Sequence, residues 1–139
     1  MLVKVVLLID KRKEQSVRYK KILEGAGVTV FTVSDFAMGL NIMNSFEPDL
    51  ILISDSLKID VKKAIEQIKV LTYNTRPLIA VLSKSNHIQD KIDYLDAGAD
   101  DFLSEPINSE EFKARICAHL RRSFENCFSD KTMLFNSKI

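Results

Sequence analysis

Six positions pair reactive side chains with a recurring place in the chain: Asp10 and Lys11, Ser54 and Asp55, Ser83, and Glu105. Each stands at or just past the end of a short apolar run. Their types raise three chemistries: nucleotide binding, metal ligation and hydrolysis. A phosphate-binding loop needs glycines so that backbone N–H groups can approach the anion. The chain has only four glycines, and the turn after the first run reads DKRKE, which excludes a Rossmann or P-loop site. His87 and His119 have no partner at metal-ligand spacing, so both read as ordinary surface or boundary histidines. Ser54 and Ser83 carry no cue for a neighbouring base or oxyanion hole, which argues against a hydrolase. No catalytic residue and no metal site follow from these residues alone.

Periodicity shows which elements must position them. Residues 3–9 form a continuous apolar run rich in β-branched side chains, as in a strand covered on both faces, and Asp10 ends it. Tyr19, Ile22, Leu23 and Ala26 recur at helical spacing, and Gly25 and Gly27 stop that helix. Residues 28–33 read as a second strand. Ser34 or Asp35 then caps a helix carrying Phe36, Leu40 and Met43. Pro48 and Asp49 precede a third strand over 50–53. A helix is expected over 61–71, and a fourth strand over 78–82 after Pro77. Ile88, Ile92 and Leu95 mark a further helix closed by Gly98, and 101–103 is a short fifth strand before Pro106. The last helix starts at Asn108 or Ser109 and runs to about Phe124, with Phe112, Ile116 and Leu120 inward. Asn108 and Glu111 have capping-box spacing. Strands alternating with helices imply a parallel sheet with right-handed crossovers and helices on both faces. Such a sheet has its crevice at the carboxyl ends of the strands, where the six positions fall.

The chain's 139 residues, 46% hydrophobic and 28% charged, make one domain. A chain this long buries roughly two-thirds of its unfolded surface, so it needs no disulfide or metal to fold. A net charge of +1 lacks the basic footprint of a nucleic-acid binder, so no direct nucleic-acid contact is expected. Cys117 and Cys127 fit neither a metal pattern nor a disulfide framework, and read as reduced bystanders in a cytoplasm. The N-terminal apolar run, about seven residues and containing Lys4, is too short for a membrane span and lacks a cleavage region. A cytoplasmic location without membrane contact is therefore expected.

Three stretches, PDLILISDS, LDAGADDFLSEPINSEEFKARICAHLRR and VVLLIDKRKEQ, resemble a bacterial response-regulator receiver (CheY-like, of the OmpR/PhoB-like type). The resemblance covers about residues 4–123. It implies a five-stranded doubly wound α/β domain with strand order 2-1-3-4-5, whose aspartate after strand three is phosphorylated by a sensor histidine kinase. In that chemistry a carboxylate attacks the phosphoryl group. Mg²⁺, held by that carboxylate and by acids after strand one, neutralises the developing charge. A Lys after strand five and a Ser or Thr after strand four hold the phosphoryl oxygens.

At the matching positions Asp10, Ser83 and the switch aromatic Phe102 fit. Lys11 replaces an acid, Ser54 replaces the phosphoacceptor aspartate and Glu105 replaces the Lys. LKIDVKK stands where a Pro-Gly-rich loop is usual. Lys11 would stand where Mg²⁺ needs negative charge, and Glu105 would repel a phosphoryl group. One such like-charge contact at about 4 Å costs roughly 4 kcal/mol at an effective dielectric of about 20. The implied site is degenerate and takes no cofactor, with Mg²⁺ expected only where the site is still active. Asp55 is the alternative acceptor, reached if the strand slips by one residue. The exchanged signs of Lys11 and Glu105 suggest an ion pair that locks the crevice without metal or phosphate.

Receivers of this type form two-fold dimers through the fourth helix, fifth strand and fifth helix, using charged pairs between subunits. The matching pairs are Lys91 with Glu111, Asp101 with Arg115 and Asp100 with Arg122, all of the required sign. The sequence thus predicts a non-enzymatic, phosphorylation-independent receiver domain over 1–123 that forms a homodimer. A linker over 124–139 would lead to a C-terminal output domain, a DNA-binding transcription regulator or a diguanylate cyclase. Two other readings stay open: a conventional phospho-receiver using Asp55, and a small-ligand sensor holding a metabolite in the crevice.

Overall fold

In the computed structural model the backbone is described over residues 3–136 and side chains over 3–122. The chain alternates β1 (Val5–Ile9), α1 (Lys13–Gly25), β2 (Thr29–Val33), α2 (Phe36–Phe46), β3 (Leu50–Ser54), a single 3₁₀ turn (Asp55–Leu57), α3 (Val61–Leu71), β4 (Leu78–Ser83), α4 (Ile88–Ala97), β5 (Asp101–Ser104) and α5 (Ser109–Asn136). The strands form one parallel sheet in the order β2-β1-β3-β4-β5, the doubly wound arrangement expected from the sequence.

Alternation along the strands divides the core. Val6 and Leu8, Leu50 and Leu52, and Ala80 and Leu82 pack under α1 and α5 with Tyr19, Leu23, Phe112, Ile116 and Leu120. Leu7 and Ile9, Ile51 and Ile53, and Ile79 and Val81 pack on the other face against α2 and α3. Burying a Leu or Ile side chain stabilises by roughly 1.5–3 kcal/mol, so these two layers dominate the fold's stability. Because the strand order reverses between β1 and β3, their carboxyl ends open the crevice. Ile9 lies opposite Ile53, so Asp10 and Ser54 leave the sheet side by side.

Local signals place the elements. Asp35 caps α2 by accepting from the backbone N–H of Met38 at 2.8 Å. Asn108 caps α5 by accepting from the N–H groups of Glu110 (2.8 Å) and Glu111 (3.1 Å). The capping box is half made, because the Glu111 carboxylate turns to Arg115 at 3.0 Å. Helix α5 continues to Asn136, past the expected end near Phe124. No glycine or proline follows Pro106, so nothing local stops it. The side chains of the expected linker, and Cys127, lie outside the described residues.

Gly39 marks the closest approach of α2 to the sheet. A Cβ there would stand 2.7 Å from Ile9 Cδ1 and 3.1 Å from Ile9 Cγ1. Ile9 is fully buried and has little room to move. Gly39→Val is expected to cost about 1–3 kcal/mol by overpacking. Urea unfolding of the variant checks this, and an unchanged midpoint would show that α2 can lift away freely.

Candidate functional site

Asp10 ends β1 with its carboxylate fully buried, and the chain supplies its partners locally. The Arg12 backbone N–H donates to Asp10 Oδ1 at 2.9 Å. The Arg12 guanidinium grips both oxygens, Nε to Oδ1 at 2.9 Å and Nη2 to Oδ2 at 2.8 Å. Ser56 Oγ adds a further donor to Oδ1 at 3.2 Å. The same Arg12 Nη2 also donates to Glu105 Oε2 at 2.9 Å. Tyr19, one helical face along α1, donates its hydroxyl to that Glu105 oxygen at 2.5 Å. The Glu105 side chain is 3% exposed, so one guanidinium bridges two buried carboxylates.

The electrostatics follow from these contacts. The hydrogen bond to Asp10 is the main cause that raises the Arg12 pKa, with Glu105 adding to it against the opposing effect of burial. Burial first, and then the bond to Glu105, raises the Tyr19 phenol above its ordinary range. Tyr19 therefore stays a neutral donor at physiological pH. Its ring packs on Phe112 at 4.4 Å between centroids, which fixes the direction of its hydroxyl.

The expected Lys11–Glu105 pair does not form. Lys11 is exposed and makes no ion pair among the described residues. Arg12 takes the role because it heads the inward face of α1. Positions 12, 16, 19 and 23 share that face at helical spacing, and Ser16, Tyr19 and Leu23 are its buried residues. That periodicity was the available signal, and it points to Arg12 rather than to its neighbour.

On the far side of the crevice Ser54 is wholly buried, and its hydroxyl donates to Ser56 Oγ at 2.7 Å. Asp55 begins the 3₁₀ turn, and its carboxylate accepts a short hydrogen bond from the buried Ser83 hydroxyl. Asp55 thus reaches Ser83 without any slip of β3, whose Ser54 stays in register with Leu82. The turn supplies the change of direction. Burial, and then the Asp55 charge, push the Tyr94 phenol up to about 12. Phe102 is 7% exposed and stacks on Tyr94 with centroids 5.9 Å apart. The crevice therefore holds two separate clusters, Asp10–Arg12–Glu105–Tyr19 and Asp55–Ser83.

Five of the six charges assigned to a dimer face have partners within the chain. Arg115 contacts Glu111 at 3.0 Å and Asp101 at 3.5 Å. Asp100 accepts from the backbone N–H of Ile79 at 2.8 Å. Arg122 donates to His119 Nδ1 at 2.9 Å, and His119 Nε2 lies 2.8 Å from Asp101. His119 is buried, unlike exposed His87, so the shared expectation of ordinary surface or boundary histidines misses this polar link. Lys91 is exposed, as are Ile88 (69%) and Leu95 (38%) on α4.

A doubly wound sheet with acids, hydroxyls and a cation at its switch point defines a class of α/β domain that signals or binds through that crevice. Residues 6–117 match the family described as the response regulator receiver domain. The chain is 35% identical over 133 residues to the KDP operon transcriptional regulatory protein KdpE of Escherichia coli, covering 94% of this chain and 57% of that protein. It is 32% identical over 124 residues to the alkaline phosphatase synthesis transcriptional regulatory protein PhoP of Bacillus subtilis, covering 86% and 50%. The signal receiver domain of a putative Luxo repressor protein from Vibrio parahaemolyticus superposes with a TM-score of 0.83 at 19% identity, covering 92% of this chain and 98% of that one, and shows the fold. The chain belongs to the response regulator receiver family, whose members are signalling domains of two-component systems rather than enzymes. It spans about half the length of the curated relatives it matches. Among the described residues no helix is long and apolar enough to cross a membrane.

Proposed function

We propose that this receiver domain signals without being phosphorylated, as a dimer in the cytoplasm that controls an attached output domain. The observation that carries this is the Arg12 guanidinium bridging buried Asp10 and Glu105. Receiver chemistry calls on Mg²⁺, and the donor set here does not fit it. Mg²⁺ demands oxygen ligands at near-octahedral geometry. Both Asp10 oxygens already serve a cation, and Ser54 offers only a neutral hydroxyl. Among the described residues no three His, Cys, Asp or Glu side chains converge as a ligand set. The Ser83 hydroxyl, which the resemblance assigns to a phosphoryl oxygen, is given to the Asp55 carboxylate. Arg12 thus stands in for the cation and Asp55 for the anion of a phosphorylated receiver.

The approach of Asp55 to Ser83 is the one observation that favours the second reading, a conventional phospho-receiver that uses Asp55. One experiment separates the two. Acetyl phosphate with millimolar Mg²⁺ is expected to leave the intact mass unchanged in the wild type and in Asp55→Asn. A phosphate adduct in the wild type that vanishes in Asp55→Asn would establish the second reading. The output domain is taken to be a DNA-binding transcription regulator, in line with the names of the relatives KdpE and PhoP as transcriptional regulatory proteins, or a diguanylate cyclase. The first is favoured by the dimer face, and a sensor histidine kinase is then not needed as a phosphoryl donor.

A further inference from the structure

His119 is a buried imidazole on α5 that sits between a carboxylate and a guanidinium. Arg122 carries only donors, so the contact at 2.9 Å requires an unprotonated Nδ1 that accepts. The proton is then on Nε2, which donates to Asp101 Oδ2 at 2.8 Å. The partners therefore fix a neutral histidine and its tautomer. Among the described residues the charged groups around the ring are Asp101 from β5, and Arg115 and Arg122 from α5 itself. Arg115 uses the other oxygen, Asp101 Oδ1, at 3.5 Å. Asp100, beside Asp101, turns to the Ile79 N–H.

We propose that His119 is a pH-operated latch on Arg122, holding it when neutral and releasing it when protonated. Protonation places a hydrogen on Nδ1, so two donors and two positive charges meet where one hydrogen bond stood. The bond to Asp101 strengthens, because both partners are then charged. Arg122 is exposed, and among the described residues its hydrogen bond is to His119, so it is the group that leaves. The latch's consequence rests on the dimer proposed above. A released Arg122 can reach Asp100 of a second copy, while Asp101 Oδ1 remains available to Arg115. Acid should therefore tighten the dimer. Exposed pairs are individually weak, and two of them released together should tighten it about three- to tenfold, or about 0.7–1.4 kcal/mol.

The test compares the wild type with His119→Gln, which keeps one donor and one acceptor but cannot be protonated. Side-chain NMR of His119 and Arg122 reads the latch directly. Compared at about pH 7.5 and about pH 5.5, the Arg122 guanidinium should be restrained where the His119 ring signals report the neutral form and released where they report the protonated form. Arg122 signals that ignore the titration would overturn the latch. Sedimentation reads the consequence. The wild-type dimer should tighten over that range while His119→Gln varies by less than about twofold. Equal pH dependence in both proteins would overturn the control of assembly. A wild type that is monomeric at both pH values, with Arg122 still following His119, would overturn the dimer and leave the latch standing.

Discussion

Arg12→Met is expected to lower the stability of the domain by about 3–5 kcal/mol at neutral pH. Its guanidinium is the ion-pair partner of both Asp10, whose side chain is 0% exposed, and Glu105, at 3%. Removing it leaves two carboxylates buried near each other with no cation between them. Tyr19 and Ser56 would still donate to them, but neutral donors do not offset two charges. The cost belongs to breaking the bridge, not to the bridge's own contribution. A buried ion triad replaced as a unit by uncharged groups is often neutral or better. Asp10→Asn, Arg12→Met and Glu105→Gln made together should therefore recover most of the loss. Arg12→Lys should fall between, since an ammonium cannot grip both Asp10 oxygens and reach Glu105 from one planar fork. Lys11→Met, at an exposed position, should change stability by less than about 0.5 kcal/mol. Urea unfolding of the series at one pH measures all of these. An Arg12→Met protein as stable as the wild type would remove the lock and, with it, the main support for phosphorylation-independent signalling.

The contrast between Arg12 and Lys11 shows where the sequence is legible. Element order and sheet topology follow from periodicities that many residues repeat, such as the alternation of Leu50 to Ile53 between two core layers. One misjudged residue leaves such a pattern intact. The pairing inside the crevice depends on a single side chain and has no such redundancy. Matching position by position to a family put Lys11 in the site, because it replaces an acid there. The inward face of α1 instead selects Arg12, and a long, forked side chain at the helix entrance reaches two acids with which Lys11 makes no ion pair among the described residues. Asp55 was misplaced for a related reason. Strand alternation predicts that the residue after Ser54 points to the opposite face. The chain leaves the strand there and begins a 3₁₀ turn, so alternation no longer applies and the carboxylate meets Ser83. His119 was invisible because its partners lie 18 residues back, on β5, and one turn on.

Arg115→Glu is expected to weaken the proposed two-fold dimer by at least about 30-fold, or about 2 kcal/mol. Within one chain Arg115 already lies 3.0 Å from Glu111 and 3.5 Å from Asp101, so it neutralises an acidic part of the face. The substitution sets three acids together, and the two-fold repeats them on the other side of the axis. Fold stability should hardly change, because an exposed i,i+4 helix pair contributes only about 0.3–0.5 kcal/mol. Loss of assembly without loss of fold is therefore the signature. The charges set register and orientation more than affinity. Affinity should come from apolar surface on α4, where Ile88 is 69% and Leu95 38% exposed. Raising salt shortens the screening length from about 10 Å at 0.1 M to about 3 Å at 1 M, so the wild-type dimer should loosen without vanishing. Ile88→Asp, which spares all six charges, should weaken it at every salt concentration. Sedimentation of the three proteins at low and high salt checks this. At about 100 μM even an interface of about −5.5 kcal/mol is substantially filled. A wild type that stays monomeric there in low salt would sink the dimer, and with it the preference for a DNA-binding output over a diguanylate cyclase.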